Sequence, residues 1–140
     1  MSTIRPSLTL SLLQSREAAM AFFRPSLNEH GLTEQQWRVI RILHQHGEVE
    51  LYKLSELACI LKPSMTGVLN RLIRDGYAIK RKSHEDQRRI HISLTKQGKK
   101  AFDSMKEDME NNYRRIQDQF GAEKMEELLR LLNELKKIRP

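Results

Sequence analysis

Small and polar residues follow one another in the middle of the chain, at spacings that suit hydrogen bonding better than catalysis. Six of them would share the exposed side of one short helix, namely Pro63, Ser64, Thr66, Gly67, Asn70 and Arg71. Asparagine can pair with adenine through two hydrogen bonds, and arginine can pair with guanine or hold a phosphate. We therefore predict a helix that reads the bases of double-stranded DNA. Serine and threonine also begin ordinary surface helices, so that reading stays open for this segment.

A second basic group follows at residues 80–89. Lys80, Lys82, Arg88 and Arg89 flank a short polar tip, and Asp86 stands two residues before Arg88. An arginine at the end of a thin β-hairpin can enter the narrow minor groove of DNA. A carboxylate two residues away can orient that guanidinium through a bidentate pair. The alternative is a run of charge on an exposed hairpin, which is the less favoured reading beside a DNA-reading helix.

The charge of the chain is concentrated in one segment. The 140 residues carry a net charge of +7, yet residues 62–100 alone hold 11 Lys or Arg against three Asp or Glu. The segments before and after them are close to neutral. A local basic surface is what a phosphate backbone attracts, because each neutralised phosphate releases counterions. Acidic proteins and membrane headgroups attract the same surface.

The residues that catalysis or metal binding would need are sparse. The five histidines show no spacing beyond His44-x-His46, and residues two apart do not share a helix face. The single cysteine, Cys59, excludes an internal disulfide and a cysteine-based zinc cluster. No glycine-rich phosphate loop or nucleophile motif is present. We expect no catalytic residue, no metal and no cofactor, and we expect Cys59 to be a buried, unreactive thiol in its apolar surroundings.

The cellular setting follows from what the chain lacks. No apolar run approaches the roughly 20 residues of a membrane span, and the first residues lack an apolar block with a cleavage site. A single cysteine suits a reducing compartment. The sequence predicts a cytoplasmic protein that does not enter the membrane.

The elements that must position these residues can be read from caps and apolar spacing. A first helix is predicted over residues 7–30, capped by Ser7 or Thr9 and kinked or ended by Pro25. Thr33 and Gln36 form a capping-box pattern. The other predicted elements are helices over 34–46, 53–60, 63–75, 96–119 and 122–138, an extended piece at 49–51, and a β-hairpin within 77–94 with its tip at 83–88. In the helix over 53–60 the apolar positions are Leu54, Leu57, Ala58 and Leu61.

This order predicts a mainly α (α+β) fold, a winged helix-turn-helix with long N- and C-terminal helices. We expect one domain over residues 1–140. Its DNA-binding module would span 32–95, and the dimerisation helices would span 1–31 and 96–140. The first and last helices are rich in leucine and have no clear partner within the small central module. A homodimer would cover them, whereas packing on each other within one chain is the alternative.

A family resemblance appears at the hairpin. The run Asp86-x-Arg88, followed by Leu94-Thr95-x-x-Gly98, resembles the wing signature of the MarR family of transcriptional regulators. Further positions agree with its helix-turn-helix pattern, namely Leu57, Ala58, Pro63, Ser64, Leu72, Asp75, Gly76 and Tyr77. The resemblance implies a homodimer that binds a palindromic operator. It also implies that Ser64, Thr66, Asn70 and Arg71 contact the groove and phosphates, while Arg88 reaches from the wing with Asp86 as its partner.

A narrower resemblance concerns the effector. Residues 11–25 and 32–38 are similar to members of the family that repress operons for homoprotocatechuate degradation. This implies an aromatic acid ligand, 4-hydroxyphenylacetate or homoprotocatechuate. Arg16 would bind its carboxylate beside Met20 and Phe23, and Trp37 and Arg38 would help to close the site. Trp37 as plain core and Arg16 in a salt bridge with Glu17 are the alternatives.

The function expected from these observations is repression of an aromatic-acid catabolic operon, relieved by a phenolic or aromatic carboxylate. Two alternatives remain. One is a winged-helix module whose basic surface binds an acidic protein. The other is a regulator that does not respond to a ligand.

Overall fold

A computed structural model describes residues 4–140 and contains seven helices and three short strands within them. The elements are α1 (Leu8–Met20), α2 (Arg24–Glu29), α3 (Glu34–His46), β1 (Val49–Glu50), α4 (Leu51–Ala58), α5 (Lys62–Arg74), β2 (Ala78–Lys82), β3 (Ile90–Leu94), α6 (Lys96–Phe120) and α7 (Ala122–Leu135). They form two compact units. The terminal unit comprises Met1–Pro25 and Asp108–Pro140, and the winged unit comprises Ser26–Glu107. The mainly helical winged helix-turn-helix prediction is confirmed.

The predicted first helix is two helices. Ser7 caps α1 by accepting the backbone N–H of Leu10 at 3.1 Å. The chain leaves the helix after Met20, where Phe23 closes a tight turn by donating its N–H to the Met20 carbonyl at 2.9 Å. Pro25 lies in the first turn of α2, where its missing N–H breaks no helical hydrogen bond. The proline therefore helps to start a helix rather than to kink one.

α3 has the predicted bounds because both of its ends are specified by local chemistry. The Thr33 hydroxyl accepts the N–H of Gln36 at 3.1 Å, and the Gln36 side chain accepts the N–H of Thr33 at 2.9 Å. Gly47 ends the helix with φ +76°, a conformation that glycine adopts without steric cost. α3 contributes Val39, Ile40 and Leu43 to the core of the winged unit.

The hairpin belongs to a three-stranded antiparallel sheet in the order β1-β3-β2. Val49 pairs with Ile92, and Lys80 pairs with Ile92 from the other side. Ile92 is buried in the core, whereas the residues of β2 after Ala78 are exposed. The sheet therefore anchors the base of the hairpin in the core and leaves its tip in solvent.

The junction between the hairpin and α6 explains the Leu-Thr-x-x-Gly motif. The Thr95 hydroxyl donates to the Gly76 carbonyl at 2.6 Å and accepts the N–H of Gly98 at 3.0 Å. Thr95 also donates its own N–H to the Tyr77 carbonyl at 3.1 Å. A Cβ on Gly98 would lie only 2.1 Å from that same carbonyl oxygen. The start of α6 thus packs directly on the chain that leaves α5, which only glycine permits.

Two expectations about the turn between α4 and α5 are wrong. Cys59 is exposed rather than buried, because it ends α4 in the left-handed conformation with φ +53°. Leu61 lies outside α4 and is 80% exposed, although its spacing matches the apolar face of that helix. Ala58 and Ile60 are buried instead. Burial alternates along this turn because the helical period ends at Ala58.

The helices of the terminal unit expose much of their apolar surface. None of the thirteen residues of α1, all within the described part of the chain, is buried. Large exposed side chains on α1 and α7 include Leu8, Leu10, Leu12, Leu13, Leu128, Leu129 and Leu131. Over residues 4–140, no helix has both the length and the apolar character needed to cross a bilayer.

Candidate nucleic-acid interface

The candidate recognition helix α5 has a buried apolar side and an exposed side. Met65, Val68, Leu69 and Leu72 face the core. Pro63, Ser64, Thr66, Asn70 and Arg71 are exposed, and Gly67 is half-buried. No acidic residue occurs between Lys62 and Arg74. Apart from Pro63, the exposed side of α5 is therefore polar or basic, as contact with a polyanion requires.

Arg71 lies along the helix toward Gly67. Its Nη2 is 3.8 Å from the position that a Cβ on Gly67 would occupy. Because Gly67 has no side chain, a shallow depression remains beside the Arg71 guanidinium. Small residues at this end of the helix allow the backbone to approach a groove closely.

The first turn of α5 lies beside the first turn of α4. A cavity of about 300 Å³ is lined there by residues of both helices: Leu51, Ser55, Lys62, Pro63, Met65 and Thr66. Neither helix has a side-chain cap on its first N–H groups. Uncapped helix starts attract phosphate through those N–H groups and the helix dipole, and Lys62 adds a positive charge.

The tip of the hairpin presents one arginine. The Arg88 Nε donates to Asp86 Oδ1 at 3.2 Å, and the Arg88 backbone N–H donates to the same oxygen at 3.0 Å. The predicted pair therefore forms through one carboxylate oxygen and not as a two-oxygen fork. These hydrogen bonds, first from the backbone and then from the side chain of Arg88, lower the pKa of Asp86. The Arg88 side chain remains 92% exposed.

The neighbouring basic residues differ in how they are held. Arg89 lies 3.7 Å from Glu50 and 4.0 Å from Asp86. Lys80 and Lys82 are exposed, and within residues 4–140 neither has a carboxylate within 4.0 Å. These two lysines are thus available to phosphates, whereas Arg89 would exchange one anionic partner for another.

Sequence reasoning missed a fixed pair on a strand of the hairpin, close to its tip. The Arg81 Nε donates to Glu48 Oε2 at 2.7 Å, and its Nη2 donates to the other oxygen. This hydrogen bonding lowers the pKa of Glu48 and raises the pKa of Arg81. Glu48 precedes β1 and Arg81 lies on β2, so no local signal joins them. The Arg81 side chain is therefore paired with a carboxylate of the protein, unlike those of Lys80 and Lys82.

The predicted ligand residues fall in both units, and each is described within its own. In the terminal unit, Arg16 Nη1 lies 3.7 Å from Glu17 Oε1, while Met20 and Phe23 are half-buried. Glu17 also accepts from Arg24 at 2.8 Å. Arg115 lies over the ring of Phe22, 5.3 Å from its centroid. Within this unit, the Arg115 guanidinium thus lies against an aromatic ring, whereas those of Arg16 and Arg24 lie beside Glu17.

In the winged unit, Trp37 and Arg38 have structural partners. Trp37 is buried and stacks on Phe102 with ring centroids 5.4 Å apart, and His44 also stacks on Phe102, with centroids 3.7 Å apart. Arg38 donates to the Ala58 carbonyl at 2.7 Å and to Glu34 at 2.6 Å. Arg38 therefore ties α3 to the end of α4. Within the described residues, no group of three or more His, Cys, Asp or Glu has metal-binding geometry.

Comparisons with known proteins agree with this architecture. Residues 32–90 match the MarR family. The chain is 49% identical to the homoprotocatechuate degradative operon repressor of Escherichia coli over 128 residues, which are 91% of this chain and 86% of that protein.

Two solved structures are similar over almost the whole chain. The crystal structure of transcriptional regulator PA4135 has a TM-score of 0.95 and 67% identity, covering 97% of this chain and 100% of that one. The crystal structure of NadR in complex with 4-hydroxyphenylacetate has a TM-score of 0.88 and 41% identity, covering 99% of both chains.

Proposed function

Since the chain belongs to the MarR family of transcriptional regulators, we propose that it is a homodimeric repressor that binds a palindromic operator and is released by an aromatic carboxylate. The observation that carries the DNA-binding part is the division of α5 into a buried apolar side and an exposed side without acidic residues. The proposal includes no catalytic activity, and a repressor of this kind would act in the cytoplasm, where its operon is transcribed.

Two kinds of contact are proposed for the DNA. Ser64, Thr66, Asn70 and Arg71 contact base edges and phosphates in the major groove, with Pro63 and Gly67 allowing close approach. From the hairpin, which serves as the wing, Arg88 enters the minor groove in the orientation that Asp86 gives it. Lys80, Lys82 and Arg89 hold phosphates beside it. The net charge of +8 over residues 62–100 supports this assignment.

The homodimer is supported by the leucines that α1 and α7 leave exposed in a single chain. A second copy that removes this apolar area from water would stabilise the dimer by roughly 25 cal/mol per Å² of buried area. A twofold dimer would also present two copies of α5. Two recognition helices enter successive major grooves when they lie about 34 Å apart, one turn of DNA.

The effector is proposed to be a small phenolic or aromatic carboxylate such as 4-hydroxyphenylacetate or homoprotocatechuate. Two relatives support this class, since one is a homoprotocatechuate degradative operon repressor and the other was solved in complex with 4-hydroxyphenylacetate. Arg16 is the proposed partner of the ligand's carboxylate, with Met20 and Phe23 beside the ring. Trp37 and Arg38 have structural partners within the winged unit, since Trp37 stacks on Phe102 and the Arg38 guanidinium already has two acceptors.

Release would follow from a difference in affinity between two shapes of the dimer. A ligand shifts such an equilibrium only as far as it binds one shape better than the other. If the ligand favours a spacing of the α5 helices that does not match successive major grooves, operator affinity falls. An effector that binds both shapes equally would leave repression unchanged.

Fluorescence anisotropy tests the proposal as a whole. The purified protein is titrated into labelled DNA from upstream of its own gene and into a shuffled sequence of the same composition, with and without 4-hydroxyphenylacetate. Selective binding that the acid reverses is the expected result. Binding without reversal would remove the effector, and failure to bind at low salt would remove the DNA-binding function in favour of an acidic protein partner.

A further inference from the structure

Leu61 is unusual for its place in the chain. Among the large apolar side chains exposed on the described winged unit it is the most exposed, at 80%, compared with 55% for Tyr52 and 54% for Ile79. Its backbone is extended, with φ −65° and ψ 145°. This conformation directs the side chain out of the core, although Met65, one turn later, is buried.

Leu61 is also an unfavourable residue for the position it occupies. It is the N-cap of α5 and gives the helix no side-chain hydrogen bond. Serine, threonine, aspartate or asparagine at an N-cap would stabilise the helix by accepting one of its free N–H groups. The site therefore combines an exposed apolar side chain with an uncapped helix start. Local choices that weaken the free protein tend to occur where a partner completes the structure.

The chemistry around Leu61 indicates which partner that is. Lys62, Ser64 and Thr66 are exposed on the following turn, and no acidic residue lies between Glu56 and Asp75. An apolar protein surface would gain nothing from this basic and polar border, whereas DNA matches it. In the major groove, the C5 methyl of thymine is the apolar group that base pairs present.

We propose that Leu61 is a specificity-determining residue that packs against the C5 methyl of one thymine in each half of the operator. The inference rests on the proposed DNA-binding function, because the N-terminal end of a recognition helix is the part nearest the bases. DNA contact would remove the leucine from water, and it would bring phosphates or base acceptors close to the uncapped N–H groups.

Deoxyuridine substitution tests this contact, since uracil differs from thymine only by lacking that methyl. The operator is first located by footprinting on the upstream DNA. Thymines are then replaced by deoxyuridine one position at a time, in both half-sites together. Affinity is measured by anisotropy for the wild type, for Leu61→Ala and for Leu61→Met, with Ile79→Ala as the control for an exposed aliphatic residue elsewhere.

At one thymine position, replacement by deoxyuridine should reduce the affinity of the wild type about three- to fivefold per half-site. This is the loss expected when one buried methyl group is removed. Leu61→Ala should bind the thymine operator more weakly and lose the difference between thymine and uracil at that position alone. Leu61→Met and Ile79→Ala should keep that difference.

Three results would overturn the inference in distinguishable ways. A uracil profile of Leu61→Ala that is identical to that of the wild type would exclude Leu61 as the reader. A wild type that is insensitive to uracil at every position would exclude methyl readout itself. A wild type that binds no DNA would remove the proposed function, and this inference with it.

Discussion

Asp86 and Arg88 are joined through a single carboxylate oxygen, which accepts the Arg88 backbone N–H at 3.0 Å and its Nε at 3.2 Å. The backbone hydrogen bond stabilises the turn at the tip, and the side-chain hydrogen bond holds the Nε of the Arg88 guanidinium. The remaining donors of Arg88 point into solvent, since its side chain is 92% exposed. The pair thus presents an arginine with a defined direction.

Arg88→Ala should weaken operator binding and reduce its dependence on salt. Each phosphate or minor-groove contact that is lost lowers the slope of log affinity against log salt by about 0.9, and a dimer loses two such contacts. Anisotropy at several salt concentrations measures this slope. Lys106→Ala serves as the control, because Lys106 is exposed on α6 outside the basic segment. Equal slopes for Arg88→Ala and wild type would exclude the wing-tip contact.

The pKa of Asp86 should lie below its ordinary value of 3.8, because the backbone N–H and then the guanidinium of Arg88 donate to the carboxylate. The interaction is fully present above that ordinary value and is lost as the pH falls through the lower, folded value. Carboxyl chemical shifts in an NMR titration measure it. In Arg88→Ala the pKa should rise only in part, since the backbone bond remains. A pKa unchanged by the substitution would show that the side-chain bond is absent in solution.

Gly98→Ala should destabilise the fold by about 1–3 kcal/mol, because the added Cβ would lie 2.1 Å from the Tyr77 carbonyl oxygen. Urea unfolding measures this change. Gly67→Ala is the matched control, since a Cβ there has only Arg71 within 4 Å, at 3.8 Å. Alanine at position 67 should keep or raise stability by up to about 1 kcal/mol through its higher helix propensity. Similar losses in both variants would contradict the close packing at Gly98.

Arg16→Ala should leave operator affinity near that of the wild type and abolish release by 4-hydroxyphenylacetate, because the carboxylate loses its proposed cation. Anisotropy competition with increasing acid reads out both quantities. Arg24→Ala is the control, since Arg24, at the start of α2, pairs with Glu17 at 2.8 Å and has no proposed contact with the ligand. If Arg16→Ala is released normally, Arg16 does not bind the carboxylate.

Elements with strong local signals could be predicted from the sequence. α3 begins at the Thr33–Gln36 capping box and ends at Gly47, and both signals are independent of the rest of the fold. The hairpin follows from its alternating pattern and polar tip. Pro25 indicated an interruption of the first helix, but its exact place was not predictable, because residues 21–23, where the chain leaves α1, contain neither glycine nor proline. β1 is only two residues long and exists through its pairing with β3.

The candidate site shows the same limit. Asp86 and Arg88 are two residues apart, so their interaction is readable from spacing alone. The pairing of Glu48 with Arg81 spans 33 residues and depends on the sheet register. Leu61 fits the apolar spacing of α4, and only the early end of that helix at Ala58 places it in solvent. Sequence patterns indicate which residues are polar, whereas non-local packing decides which of them remain available to DNA.

Hydroxyl-radical footprinting of the upstream DNA tests the central claim most directly. The account predicts two protected segments related by twofold symmetry, with centres about one helical turn apart. It further predicts flanking minor-groove protection that disappears in Arg88→Ala while the central protection persists. Absence of any protected segment, at concentrations where sedimentation shows a folded dimer, would contradict the account.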